Sequence, residues 1–206
     1  MSESGNAFTP DPNFFIETDR LYISHWLPDV PAHCQFLCTL WSSPGFVQSC
    51  GKTGIDTPEK AKNIIEQRFG AHHARNGYGM YLVSLKPKPG ATREESVPIG
   101  SGSLLSGVPP NAYEFPDVGY AIIDEENGKG YATEVTRALI SYATKELGLK
   151  GVFGFCAADN KHSQAVLNKV LQYRGERNLR VFGGARSAVY ALPEMDQDLK
   201  VYGVDD

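Results

Sequence analysis

No run of apolar residues in this chain approaches the roughly 20 that a membrane-spanning helix needs, so none is expected. Met1 to Pro12 are polar and lack the apolar stretch of a secretory signal. Cysteine is scarce: Cys34, Cys38, Cys50 and Cys156 are the only four in 206 residues. Cys34 and Cys38 stand one helical turn apart, but no second Cys or His pair at zinc spacing accompanies them. Buried free thiols in a reducing compartment and no bound metal are the expectation. Positive charge is not in excess either. Twenty Lys and Arg face 24 Asp and Glu, a net charge of −4, which argues against a general nucleic-acid binder. These absences together point to a cytoplasmic protein with no membrane and no nucleic-acid partner.

What is present is the material of an ordinary globular domain. Hydrophobic residues make up 41% and charged residues 21%. A chain this long buries a sizeable core without disulfide staples. Residues 1 to 15, rich in Ser, Asn, Pro and Gly, read as a flexible arm, and 16 to 206 as one domain. Leu21 to His25 alternate as a strand, and Pro31 to Leu40 read as a helix ending in a Ser42–Gly45 turn. Thr57-Pro58 opens a second helix running through Ile64, Ile65 and Phe69. Gly70 to Gly79 reads as a polar loop, with His72 and His73 a solvated pair. Met80–Leu85, Ile99–Leu105 and Asp117–Ile123 are three successive strands, with a turn-rich surface loop between the first two.

The pattern then changes. Val135, Leu139, Tyr142, Ala143 and Leu147 form one stripe of a helix over 131–147, closed by Gly148. Val152 to Cys156 is a buried strand and Ser163 to Leu171 a helix. Arg177–Phe182 and Arg186–Leu192 form a hairpin about Gly183-Gly184. Trp26, Trp41 and Phe46 are assigned to the core, and His25 and His162 to ordinary structural roles.

The stretch Asp117 to Ser163 carries the chemistry. Asn127-Gly128-Lys129-Gly130-Tyr131-Ala132-Thr133 joins a strand to an amphipathic helix. Glycines at 128 and 130 let the backbone turn tightly and approach an anion, Ala132 lets the helix start close to it, and the helix N-terminus adds positive potential. A phosphate-bearing ligand is therefore expected here. A dinucleotide fold would need a third glycine where Thr133 stands and an early first-strand position, so it is rejected.

Three pieces in order resemble the GCN5-related N-acetyltransferase (GNAT) superfamily. They are Asp117-Val118-Gly119-Tyr120-Ala121-Ile122, then Gly128-Lys129-Gly130-Tyr131-Ala132-Thr133-Glu134, then Asp159-Asn160 with Ser163. The branch resembled contains ribosomal-protein N-terminal acetyltransferases. The resemblance runs from about Glu17 to the last strand. It implies an α+β acyl-CoA N-acyltransferase fold, a mixed, mostly antiparallel sheet of seven strands flanked by helices. It also implies acetyl-CoA as co-substrate, with its pyrophosphate on residues 127–133 and its pantetheine arm near Ile122, Ile123 and Asn160. Asn127 departs from the family's Gln or Arg at the loop's first position.

The implied reaction is transfer of acetyl to a primary amine, on a small molecule or a protein N-terminus, by direct attack in a ternary complex. A lysine-like amine, with a pKa near about 10.4, is almost wholly protonated at pH 7, whereas a protein N-terminus near about 7.7–8.0 is partly free. A base is therefore needed. Asp117, where the branch carries Glu, is the first candidate and Glu114 the second. Leu167 stands where many members have an acid Tyr, and Ser163, one turn earlier, is the candidate for assisting thiolate departure. Asn160 and Ser163 also suit helix capping. A longer acyl donor and a non-catalytic acyl-CoA binder are the alternatives. The enzyme is expected as a monomer or homodimer.

Overall fold

Residues 8–204 are described by a computed structural model. Their eight strands are β1 (Phe15–Glu17), β2 (Leu21–His25), β3 (Met80–Leu85), β4 (Val97–Leu105), β5 (Asp117–Ile122), β6 (Phe153–Ala157), β7 (Gln172–Leu179) and β8 (Ala185–Ala191). They lie in one sheet in the order β1-β2-β3-β4-β5-β6-β8-β7. The pairs β1–β2, β2–β3, β6–β8 and β7–β8 are antiparallel, and β5–β6 is parallel at Asp117↔Phe153. The eighth strand, absent from the sequence reading, is β1. Its three residues are too few to show an alternation, and its pairing with β2, from Phe15↔Ser24 to Glu17↔Tyr22, defines it. Residues 1–7 of the predicted arm fall outside the described residues; of the rest, Phe8 and Phe14 pack on His73 and His25.

By their contacts the described residues divide into two compact units, residues 8–102 with 120–131, and 103–119 with 132–204. In the first, α1 (Pro31–Ser42) is followed by α2 (Pro44–Cys50), α3 (Pro58–Ile64), a π-helical turn (Ile65–Phe69) and α4 (Gly70–Asn76). Two sequence expectations are corrected here. The predicted turn at 42–45 instead opens α2: Ser43 Oγ accepts from the N–H of Phe46 (3.4 Å), with Pro44 in the first helical turn. That is an N-cap signal read as a break. The predicted loop at 70–79 is helix as far as Asn76, ending on left-handed Gly77 (φ 76°). Gly70 takes helical angles (φ −59°), and burial of Phe69 and His73 holds the segment helical against the glycine's weak propensity. Thr57 caps α3 as expected, accepting from the N–H of Lys60 (3.3 Å). Trp26 and Trp41 lie in the core of this unit with Leu37, Leu40, Ile65, Phe69 and Leu82. Cys34 and Cys38 are buried there too, whereas Cys50 is exposed.

In the second unit, which takes α5 (Tyr131–Lys145) from Ala132 onward, that helix buries Val135, Leu139 and Ala143, the i, i+4, i+8 stripe read from sequence. It ends before Gly148, which adopts φ 67°. The helix expected at 163–171 is α6 (Lys161–Leu167), shifted towards its Asn160 cap. The hairpin turns at Gly183 (φ 64°) and Gly184 (φ 83°), and β8 inserts between β6 and β7. The core here gathers Tyr113, Phe153, Leu179, Val189 and Ala191. Met195, Leu199 and Val204, from the C-terminal segment, complete it. That segment has no period, and only its packing reveals it as core.

Candidate active site

Four residues of the loop between β5 and α5 have a visible structural reason. Asp124 anchors its start: its carboxylate accepts from the N–H of Gly45 (3.1 Å), and its carbonyl accepts from the N–H of Asn127 (3.2 Å). Asn127 Nδ2 lies 3.5 Å from Asp124 Oδ1, so that side chain turns back on the loop. Gly128 (φ 79°) and Gly130 (φ 87°) both occupy the left-handed region, where a Cβ is strained, and this is what the two glycines are for. Among the described residues no protein acceptor takes the N–H of Gly128, Lys129 or Gly130. The first-turn N–H groups of α5 add to them, because they have no intrahelical acceptor. Such a run of backbone donors ahead of a 15-residue helix fits a pyrophosphate. Lys129 pairs with Glu126 at 2.9 Å and stays half-exposed.

One contact of this loop was invisible in sequence. Arg20 Nη1 donates to the carbonyl of Lys129 (3.0 Å), and its guanidinium sits 4.5 Å from the centre of the Tyr131 ring. Arg20 lies 109 positions from Lys129, so no local pattern could pair them.

The expected pantetheine partners differ in availability. Ile123 donates its N–H to Ile99 (2.9 Å) and its carbonyl accepts from Glu126 (3.0 Å), so both of its backbone groups are engaged. Ile122 is buried. Gly100 lets β5 come close, since a Cβ there would lie 2.7 Å from Ile122 Cδ1 and collide with the Ala121 carbonyl.

In the second unit, Asp117 opens β5 beside Phe153, whose N–H donates to the carbonyl of Pro116 (2.9 Å). Part of Asp117 reaches the surface, yet its carboxyl is closely surrounded by protein. That desolvation pushes its pKa from 3.8 up to about 7, opposed by a hydrogen bond from its own backbone. A carboxylate titrating near neutrality is what a general base requires. Asn160 Oδ1 accepts from the N–H of Ser163 (3.0 Å), so the capping role read for Asn160 is real. Ser163 contributes its backbone to that cap and lies half-buried in the first turn of α6. Leu167 is buried, and a Cβ on Gly154 would lie 2.7 Å from its methyl, so it packs on β6 as core. Glu114 is exposed, with its N–H donating to the carbonyl of Tyr202 (3.1 Å).

A cavity of about 250 Å³ in the first unit is lined by Phe8, His25, Trp26, Phe69, His73 and Met80. The solvated histidine pair of the sequence reading is corrected here. His73 is 5% exposed, stacks on Phe8 (4.5 Å) and bonds the Met80 carbonyl (3.1 Å). Burial drives its pKa down to about 4, so it is neutral at pH 7. Burial also lowers that of His25, which stacks on Phe14 at 4.2 Å.

The sequence matches the acetyltransferase (GNAT) domain family over residues 20–170, and the chain belongs to that family. It is therefore an acyltransferase, which sets aside the non-catalytic binder. It is similar to the uncharacterized N-acetyltransferase YoaA of Bacillus subtilis, with 25% identity over 155 residues, covering 75% of this chain and 80% of that protein. A GNAT-family acetyltransferase from Bacillus anthracis has a similar structure (TM-score 0.65, 20% identity, 87% of this chain and 98% of that one). So does RimL, a ribosomal L7/L12 alpha-N-protein acetyltransferase, in complex with coenzyme A (TM-score 0.66, 19% identity, 86% and 97%). The expected fold is thus the observed one, with one strand more. No helix among the described residues is long and apolar enough to cross a membrane.

Proposed function

We propose that this enzyme transfers the acetyl group of acetyl-CoA to a primary amine, on a small molecule or a protein N-terminus, by direct attack in a ternary complex. The observation that carries the donor is the run of backbone N–H groups at Gly128, Lys129 and Gly130 without protein acceptors among the described residues, ahead of α5. The similarity to a coenzyme A complex supports it. Bound acetyl-CoA would supply a thioester carbonyl open to attack. As the C–N bond forms and the C–S bond breaks, the amine loses a proton and the thiolate gains one. Asp117, held near pH 7 in its titration, collects the amine proton, through water if its short side chain does not reach. Ser163 assists the leaving thiolate, and the amide nitrogen of Asn160 holds the pantetheine arm while its oxygen caps α6. Ile122, Ala132 and Thr133 complete the donor's binding surface, and Ile123, whose backbone groups are both engaged, contributes only its side chain. Tyr131 opens α5 beneath the Arg20 guanidinium. The protein acts as a single acyltransferase domain over 16–206, as monomer or homodimer, in the cytoplasm, without a metal.

Calorimetric titration with acetyl-CoA tests the donor. Micromolar binding is expected, lost in Gly130→Glu and weakened in Lys129→Glu. The second variant adds a negative charge at a position free of left-handed strain, so its loss is not a folding failure. No binding by the wild type overturns the assignment. A longer acyl group is separated by comparing acetyl-, propionyl- and succinyl-CoA as donors to an amine panel, with acetyl expected to be fastest.

A further inference from the structure

We propose that Arg20 is a positioning residue for the phosphate loop, one that aims the Gly130 N–H at the donor's pyrophosphate. The inference rests on the acetyl-CoA reading of that loop. Arg20 immediately precedes β2, and its carbonyl is pinned by the N–H of Lys86 (2.9 Å). From this anchored backbone the side chain reaches the Lys129–Gly130 peptide, where Nη1 donates to the carbonyl at 3.0 Å. In a trans peptide the carbonyl and the following N–H point in opposite directions. Holding the Lys129 carbonyl on the Arg20 side therefore turns the Gly130 N–H to the opposite side. Gly130, at φ 87°, has the freedom to flip this peptide, so the orientation needs an external hold. The Tyr131 ring beneath the guanidinium, at 4.5 Å, fixes the arginine in turn.

The arrangement also accounts for Asn127. Where a longer cationic or amide side chain would serve the loop from within, Asn127 folds back on Asp124. The cation comes instead from the start of β2. The Arg20 Nη2 atom lies 3.5 Å from the point where a Cβ of Gly130 would stand, which keeps the charge against the loop. A lysine cannot donate to the carbonyl and stack flat on a ring together, so the role needs the planar fork.

The test uses the full chain as wild type, Arg20→Met and Arg20→Lys, with acetyl-CoA as probe. Affinity is read by calorimetry, and the amide signals of Gly128 and Gly130 by nitrogen-15 NMR. Arg20→Met should raise Kd by about tenfold, and Arg20→Lys should recover only a small part of this. On adding acetyl-CoA the Gly130 amide should shift in the wild type and much less in Arg20→Met. The Gly128 amide, which lies outside the peptide Arg20 holds, should shift in both. An unchanged Kd, full rescue by lysine, or joint loss of both amide shifts overturns the positioning role. Failure of the wild type to bind acetyl-CoA instead overturns the loop assignment beneath it.

Discussion

Replacing Asp117 by Asn should make the enzyme more stable and nearly inactive at the same time. The carboxyl titrates near 7 in the fold against an ordinary 3.8, because burial disfavours its charge. A folded pKa above the unfolded one means that the native state holds the proton more tightly. This contribution to stability is fully present below about pH 3.8 and is lost as pH rises through 7. At about 1.4 kcal/mol per pKa unit the ceiling is about 4 kcal/mol. Asp117 is partly exposed, and screening reduces the expectation to about 2 kcal/mol. Asn is neutral at every pH and avoids the loss. Urea unfolding of both proteins at pH 5, 6, 7 and 8 should therefore show the variant's advantage growing with pH, from roughly 1 kcal/mol or somewhat less at pH 5 to about 2 kcal/mol by pH 8. Once an acceptor is found, wild-type kcat/KM should rise with an inflection near pH 7. The variant should be slower by about 10²–10³-fold and lack that inflection, with acetyl-CoA affinity unchanged. A constant stability difference across pH would refute the desolvated carboxyl. An unchanged rate would remove Asp117 from the chemistry.

Two further outcomes follow from buried groups. His73, brought down to about 4 from 6.5, has the opposite sign: the unfolded chain takes the proton more readily, so stability present above pH 6.5 declines towards pH 4. The ceiling is about 3 kcal/mol, and His73→Gln should flatten the pH dependence of the urea midpoint over that window, an effect His73→Gln must show if burial is the cause. Asn160→Ala removes the cap of α6 and should cost about 1 kcal/mol by thermal melting. It should also weaken acetyl-CoA binding, and a loss of stability with unaltered affinity would leave Asn160 as a cap alone.

Much of this fold was legible because its signals are local. The alternation in Leu21–His25, the stripe of Val135, Leu139 and Ala143, and the two glycines at 128 and 130 are each complete within a few residues. The glycine loop was therefore readable before any tertiary contact was known. The misreadings came where a local signal and its surroundings disagree. Gly70 is a poor helix former, and the burial of Phe69 and His73 carries the helix through it. Ser43-Pro44 is compatible with a turn and with a helix start, and the helix won.

The amino-acid sequence by itself determined the family, seven of the eight strands with the helices that carry strong caps and stripes, and a glycine loop suited to phosphate, since short-range sterics and periodicity decide these. Tertiary structure alone decided that β8 lies between β6 and β7, that Arg20 holds the loop from 109 positions away, and that Leu167 turns into the core. It also decided the charge state of Asp117 and His73. A pKa depends on how much water a group keeps, and that is settled only when distant segments close around it.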